Sequence, residues 1–494
     1  MKQNISPHSL SPMHDIIKTV IAEFIPAPPP ASPIEEPRHE TPSETLMNTS
    51  PDNKKARSNS DNKETFAPDA EILTSYALFI AIDWADRGHE VCVLDPANQE
   101  RTHNQIEQSP QALQKWLSNI QLRINHQYIA VALEQKTGAL VNFLLEFDWI
   151  DVYPVNPLSL SRYRQAVRLS GAKDDPTDAE LLLDLLTLHR DTLHCLKRDT
   201  VMTRTLQRLT RDRREAVKQR TRYNNQLKIL LKDSYPLFLE ICGEHLYAPL
   251  ACELLLTYPT FDSLKQAHPG EISHFYMTHG CRKPELNAQR LKRIQTAQPL
   301  TTDPAIISST SIRAKMIATL LLDLDTCIKE YDTAITDLFA QHEDASIFES
   351  FPGAGAQLAP RLLAAFGTDR SRFQSATEVQ NVMGISPVKK DSGKMKMTLC
   401  RAVCSKFLRQ TFHEFANVSI RFSIWAQAYY QQQRKTGHAH QAAIRSLAFK
   451  WIRIMFRCWQ TRQPYDELRY IKALQQHHAP LLEYLSKNDK VLGN

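Results

Sequence analysis

The sequence predicts an α/β domain followed by a mainly α-helical remainder, and three observations carry that expectation. Short apolar runs alternate with helix-length segments between residues 77 and 155, the texture of a sheet with helices against it. Two long stretches, residues 199–232 and 311–341, repeat apolar side chains at helical spacing, so each must bury one stripe. Beyond residue 348 nearly every segment up to Pro464 favours helix. At 494 residues, 42% of them apolar, the chain can fill two or three separate cores.

Residues 1–70 carry Pro26, Pro28, Pro29, Pro30, Pro33, Pro37, Pro42 and Pro51 among long Ser, Thr and Asn tracts. That composition predicts a disordered tail with at most one short amphipathic helix, around residues 16–25. The α/β domain is expected over residues 71–195. Its strands are predicted at 77–84, 90–94, 128–133 and 149–155, the first two close enough to form a hairpin, with helices near 111–120 and 139–147. Over residues 196–345 the seams Leu206, Leu209, Val217, Leu227, Leu230 and Leu231, then Ile317, Leu320, Leu324, Ile328, Tyr331, Ile335 and Leu338, predict a long antiparallel coiled coil. The proline-broken stretch 236–305 between them reads as a helical insertion. A mainly helical domain is expected over 346–465 and a C-terminal tail over 466–494.

No run approaches the ~18 apolar residues of a membrane span, and no charged segment followed by an apolar one opens the chain. A soluble intracellular protein is expected. The nine cysteines are scattered, and the close pair Cys400 and Cys404 has no second pair at zinc-finger spacing. Charge is the sharper signal. Fifteen lysines and arginines against two acids occupy residues 389–462, a local net charge of +13 in a chain whose total is +6. Aromatic residues, among them Phe412, Phe415, Trp425, Trp451 and Trp459, are interleaved with these cations. A polyanion, most simply nucleic acid, is the expected partner; a solvated basic face over an ordinary helical core is the bland alternative.

Four acids stand where acids are costly or clustered. Asp83 ends the apolar run Ile80-Ala81-Ile82, Glu134 ends Val131-Ala132-Leu133, and Asp175 and Asp178 open a helix three residues apart. A buried carboxylate needs a compensating charge, and a divalent cation is one. Asp175 and Asp178 also suit a helix N-terminus as cap and capping box around Pro176, which needs no metal.

Further on, Phe351-Pro352-Gly353-Ala354-Gly355 reads either as a helix-hairpin-helix turn that approaches a phosphate or as a plain connection. Ser392 lies in a loop with Lys389, Lys390, Lys394 and Lys396, where cations would favour attack of a hydroxyl on a phosphodiester; an ordinary basic loop is the alternative. The helix expected from 440 to 459 places Arg445, Lys450, Arg453 and Arg457 as a phosphate-contacting stripe. His438 and His440 have no partner at metal-ligand spacing.

The order Asp83, Glu134, Asp175, Asp178, with Tyr153-Pro154-Val155-Asn156-Pro157 before Lys173-Asp174-Asp175-Pro176-Thr177-Asp178-Ala179, resembles the DEDD transposases of the IS one-ten insertion-sequence family, relatives of the Piv DNA invertase. The segment Gly384-Ile385-Ser386-Pro387 followed by Ser392-Gly393 resembles the family's C-terminal transposase domain. Two departures stand out: Ile82-Asp83-Trp84-Ala85-Asp86 lacks the family's lysine, and Glu134-Gln135-Lys136-Thr137-Gly138 has one extra residue. The resemblance implies a RuvC-like, ribonuclease H-like N-terminal domain whose four carboxylates hold Mg2+ or Mn2+. It implies a DNA transposase or site-specific recombinase in which Ser392 forms a covalent phosphoserine link, assisted by the carboxylate site of another subunit. A structured non-coding guide RNA, held in part by the basic helix 204–222, a homo-oligomer (dimer or tetramer) and a bacterial cytoplasmic, nucleoid-associated location are implied with it. The residues alone leave open a metal-dependent junction-resolvase-like nuclease and a non-catalytic nucleic-acid-binding scaffold.

Overall fold

The computed structural model describes residues 76–167, 175–392, 395–476 and residue 481; the side chains of residues 175, 390–392, 395 and 396 are not among those described. The expected tail 1–70, with its short helix, lies outside these residues. The chain divides between Arg198 and Asp199 into two compact units.

The N-terminal unit runs β1 (Leu78–Asp83), β2 (Gly88–Asp95), β3 (Glu100–Glu107), α1 (Pro110–Ile124), β4 (Ile129–Leu133), α2 (Ala139–Leu144), β5 (Ile150–Pro154), α3 (Pro157–Val167) and α4 (Asp175–Leu188). The sheet order is β3-β2-β1-β4-β5, with β1, β2 and β3 antiparallel and β1, β4 and β5 parallel. The central strands are apolar at nearly every position because both faces are covered. Leu78, Ile80 and Ile82 of β1 pack with α1 and α2, while Phe79 and Ala81 pack with α3 and α4. This mixed sheet with flanking helices is consistent with a RuvC-like fold.

Strand β3 was not expected from the sequence. Its residues Glu100-Arg101-Thr102-His103-Asn104-Gln105-Ile106-Glu107 are polar, and Ile106 is its one buried side chain, as befits an edge strand. What makes it a strand is the turn before it, where Ala97 N–H donates to Asp95 Oδ1 (3.0 Å) and Glu100 N–H to Asn98 Oδ1 (3.0 Å). Helix α3 also lacked a prediction; Asn156 caps it by accepting from Leu158 N–H at 2.9 Å, with Pro157 as its first residue.

The second unit begins with α5 (Val201–Ser234), followed by α6 (Pro236–Cys242), α7 (Pro249–Thr257), α8 (Phe261–Gln266), α9 (Pro269–Thr278), α10 (Pro284–Thr296) and α11 (Pro304–Ala340). The prolines that break the insertion are helix starts: Pro236, Pro249, Pro269 and Pro284 each stand in the first turn of a helix. The long helices α5 and α11 pack antiparallel. Arg213 pairs with Asp332 at 2.6 and 3.1 Å and, two turns on, Arg220 approaches Asp325 at 3.9 Å. By length and composition α11 is apolar enough to cross a membrane, contrary to the expectation that no segment is. Part of its apolar surface is covered by the insertion, where Ile317, Ala318 and Leu321 join Leu227 and Leu231 of α5 in one core.

The remainder runs α12 (Ala345–Glu349), α13 (Gly355–Phe366), α14 (Ala376–Val382), β6 (Val388–Ser392), β7 (Met395–Leu399), α15 (Lys406–Ser419), α16 (Ile424–Lys435), α17 (His440–Thr461) and α18 (Glu467–Gln476). The region is mainly helical, and β6 and β7 add an antiparallel ribbon to it. Of the interleaved aromatics, Phe412, Phe415, Trp425, Trp451 and Trp459 are fully buried and form the core with Phe351 and Phe366, whereas Phe422 is exposed. Helix α18, in the stretch read as a tail, packs Tyr470 on Trp425 with ring centroids 4.9 Å apart.

Candidate active site and nucleic-acid interface

Strand register assembles the acidic end of the N-terminal sheet. In the parallel pair β1 and β4, Ile82 faces Leu133, so Asp83 and Glu134 follow at neighbouring positions at the C-terminal ends of adjacent strands. Alternation puts Asp83 on the side of Phe79 and Ala81, and Glu134 on the side of Ala130 and Ala132, the side covered by α3 and α4. Helix α4 runs opposite to β1. Its Asp184 meets Arg101 at 2.9 Å, level with Phe79, and its Glu180 approaches His103 at 3.5 Å, level with Ala81. The N-terminal turn of α4, with Asp175 and Asp178, therefore lies toward the strand end that carries Asp83.

The acids differ in surroundings. Asp83 and Glu134 are half-buried and each already has an interaction within the protein. Asp178 is 4% exposed, and its carboxylate accepts from Arg164 Nη2 of α3. Arg164 is itself half-buried, and its Nε is buried with no partner among the described residues. Sequence reading missed Arg164, because nothing in Ser161-Arg162-Tyr163-Arg164 marks which arginine turns inward. The side chain of Asp175 is outside the described set. Among the described residues, no three His, Cys, Asp or Glu side chains are gathered closely enough to hold one ion. The donor chemistry still fits a hard cation, since every candidate ligand is a carboxylate and all stand at one end of one sheet face.

In the second unit Ser392 is the last residue of β6, paired with Met395 across the turn. The turn residues Gly393 and Lys394 lie outside the described residues, as do the side chains of Ser392 and Lys396. The root of this ribbon is firmly held. Gly384 has φ +70°, and a Cβ there would lie 2.4 Å from Cys404 Sγ, so only glycine fits. Ile385 N–H and Ser386 N–H both donate to the carbonyl of Gln380 at 3.0 Å, and Gln380 Nε2 donates to the carbonyl of Phe449 at 2.8 Å. The Pro-Gly turn at 351–355 is packed rather than open at its first glycine: a Cβ on Gly353 would meet Phe422 at 2.7 Å and Val418 at 2.8 Å.

The predicted stripe on α17 divides. Arg453 and Arg457 are exposed. Lys450 lies over the Tyr429 ring, 4.4 Å from its centroid, and burial together with Arg453 pushes its ammonium below the usual lysine range. Arg445 is half-buried beside His413. On α5, Arg213, Arg214 and Arg220 face Asp332, Glu414 and Asp325, whereas Arg208, Arg211, Lys218 and Arg222 are exposed.

Comparison with known proteins gives a consistent result. A transposase profile of the DEDD IS110 type matches residues 80–236, and the profile of the transposase IS116/IS110/IS902 family matches residues 345–431. A Streptomyces coelicolor mini-circle protein described as a transposase for IS117 is 29% identical over 418 residues, which is 83% of this chain and 98% of that protein. The uncharacterized 42 kDa protein of insertion element IS900 from Mycobacterium paratuberculosis is 28% identical over 58% of this chain and 70% of its own length. The uncharacterized 44.8 kDa protein of insertion element IS116 from Streptomyces clavuligerus is 28% identical over 59% of this chain and 74% of its own. With nearly all of the sheet, its acids and the ribbon inside the matched segments, the chain shows homology to the IS110/IS116/IS900 family of insertion-sequence transposases, and that homology supports DNA-cutting activity.

Proposed function

We propose that this transposase cuts and rejoins DNA with two sets of groups, the acids at the end of the N-terminal sheet and the hydroxyl of Ser392. The observation that carries the reading is the convergence of Asp83, Glu134 and the first turn of α4 on one end of one sheet face. Asp83, Glu134, Asp175 and Asp178 would hold Mg2+ or Mn2+, which would supply charge stabilisation to phosphoryl oxygens. Arg164 holds the Asp178 carboxylate in place and offsets its charge.

Ser392 acts as the nucleophile. Its hydroxyl loses a proton, an Oγ–P bond forms, and the P–O bond to the leaving deoxyribose oxygen breaks as that oxygen gains a proton. One phosphodiester replaces another, so the strand can be rejoined by the reverse step. Lys394 and Lys396, neighbours in sequence, would draw the phosphate toward the ribbon, while Arg445, Lys450, Arg453 and Arg457 contact the DNA backbone. A structured guide RNA belongs to the same reading, with the exposed Arg208, Arg211, Lys218 and Arg222 of α5 as its basic track, as does assembly into a homo-oligomer.

The test is a denaturing gel of protein incubated with element-end DNA and magnesium. An SDS-resistant protein–DNA adduct is expected for wild type and none for Ser392→Ala. Strand cleavage that persists in Ser392→Ala without an adduct would replace this reading by a metal-dependent nuclease.

A further inference from the structure

Among the described residues, seven buried side-chain nitrogen or oxygen atoms lack a hydrogen-bond partner, and three of them belong to one cationic cluster: Arg401 Nε, His413 Nε2 and Arg445 Nε. The cluster lies where α14, α15 and α17 meet. Arg401 Nη2 donates to Asn381 Oδ1 on α14 at 3.0 Å, and Arg409 Nη1 of α15 donates to the carbonyl of Arg401 at 2.9 Å. His413 stands one turn beyond Arg409, and burial, then Arg445 of α17 and Arg409, hold its imidazole toward the neutral form.

No described acid pairs with Arg401, Arg409 or Arg445, and His413 also makes a side-chain hydrogen bond with Gln441. Glu414, next to His413 in sequence, is taken by Arg361 at 2.6 Å and Arg214 at 3.2 Å. A folded chain rarely leaves buried polar groups unsatisfied, and two guanidinium nitrogens and an imidazole nitrogen left so around Arg409, with no carboxylate, describe a site whose counter-charge arrives from outside. Guanidinium groups suit phosphate oxygens because their parallel N–H bonds match two oxygens at once.

The position identifies the ligand. Gly384 is pressed against Cys404, and a Cβ on it would also lie 3.6 Å from the Arg409 Cβ. The cluster therefore sits at the root of the ribbon that ends at Ser392, roughly 13 Å along β6 at about 3.3 Å per residue. We propose that Arg401, Arg409, His413 and Arg445 form a pocket for one backbone phosphate of duplex DNA, a few nucleotides from the phosphate that Ser392 attacks. Arg445 then belongs to this half-buried pocket and not to the exposed stripe of Arg453 and Arg457. The choice of DNA rests on the function proposed above.

Fluorescence anisotropy with a random-sequence duplex, measured across a salt series without divalent metal, tests the pocket. Arg401→Gln and Arg445→Gln should each weaken binding several-fold and lower the slope of log affinity against log salt by about 0.9, the value for one phosphate contact. Arg445→Lys keeps the charge and loses the fork, so it should keep the slope and still bind several-fold more weakly; it serves if Arg445→Gln does not fold. Wild-type affinity and slope in folded Arg401→Gln and Arg445→Gln, or wild-type affinity in Arg445→Lys, would overturn the proposal. So would stabilisation of wild type, but not of Arg445→Gln, by inorganic phosphate with DNA binding unchanged, since the pocket would then take a free anion. The assay contains no divalent metal and reads binding alone, so failure of the adduct experiment and failure of the pocket remain separate results.

Discussion

The acidic end of the N-terminal sheet and the basic helices of the second unit hold their charged groups by different means. Asp83 and Glu134 are placed by backbone hydrogen bonds, because the β1–β4 register and strand alternation fix their side and their level whatever side chains they carry. The cations of α15 and α17 are placed by an aromatic core: Trp451 and Trp459 bury the inner face of α17, and only the remaining positions are available to Arg453 and Arg457. Charge in the sheet can be removed with little effect on packing. Charge in the helices is coupled to packing to a degree that varies residue by residue.

The largest expected effect would break this contrast if it failed. Asp83→Asn and Glu134→Gln should each abolish recombination while leaving the protein folded, at a cost of no more than about 1–2 kcal/mol for half-buried acids with a partner in the protein. Recombination assays and thermal melts of the purified variants decide it, and activity near wild type would return these acids to ordinary strand-end residues.

Asp178 marks a limit within the N-terminal unit. It is buried, carried by a helix and paired with the half-buried Arg164, so Asp178→Asn should cost up to about 3 kcal/mol by leaving Arg164 uncompensated. The double change Asp178→Asn with Arg164→Met should recover most of that stability and no activity. Denaturant melts of the single and double variants would sink the account if the single variant were as stable as wild type.

Within the basic helices Lys450 and Arg453 should separate. Lys450→Gln loses the contact with Tyr429 and should cost about 1 kcal/mol of stability besides lowering the salt slope of DNA binding by about 0.9, whereas Arg453→Gln should lower that slope equally and leave stability unchanged. Equal stability of the two would mean that α17 presents one uniform face.

The smallest effect is a pH dependence. Burial, with Arg445 and Arg409 nearby, lowers the His413 pKa below its ordinary value of 6.5. The unfolded chain therefore binds a proton that the folded one refuses. Stability from the neutral form is fully present above 6.5 and falls as pH drops toward the folded pKa. His413→Gln should flatten that part of the stability profile, as urea melts across a pH series would read. An identical profile in the variant would remove His413 from the account.

Much of the sheet was legible because its signal is local. The runs at 77–84, 128–133 and 149–155 are apolar at nearly every position, as strands covered on both faces are, and each holds a strand. Strand β3 escaped because an edge strand needs only Ile106 inside. The ribbon escaped because lysine, methionine and threonine favour no single state strongly, and its register depends on a turn and on the Gly384–Cys404 contact, which are tertiary facts. The four-residue spacing on α17 suggested one cationic stripe, yet periodicity does not say which arginine turns toward a histidine on a neighbouring helix. The same limit hid Arg164, whose partner lies fourteen residues away on another helix.

The central claim is that the acids at the sheet end act as one metal centre, and titration of the metal-free protein with Mn2+ by calorimetry reads it without any DNA. Wild type should bind, Asp83→Asn and Glu134→Gln should each bind at least about tenfold more weakly, as loss of a carboxylate ligand requires, and Ser392→Ala should bind as wild type. Unchanged Mn2+ affinity in both carboxylate variants would contradict the account.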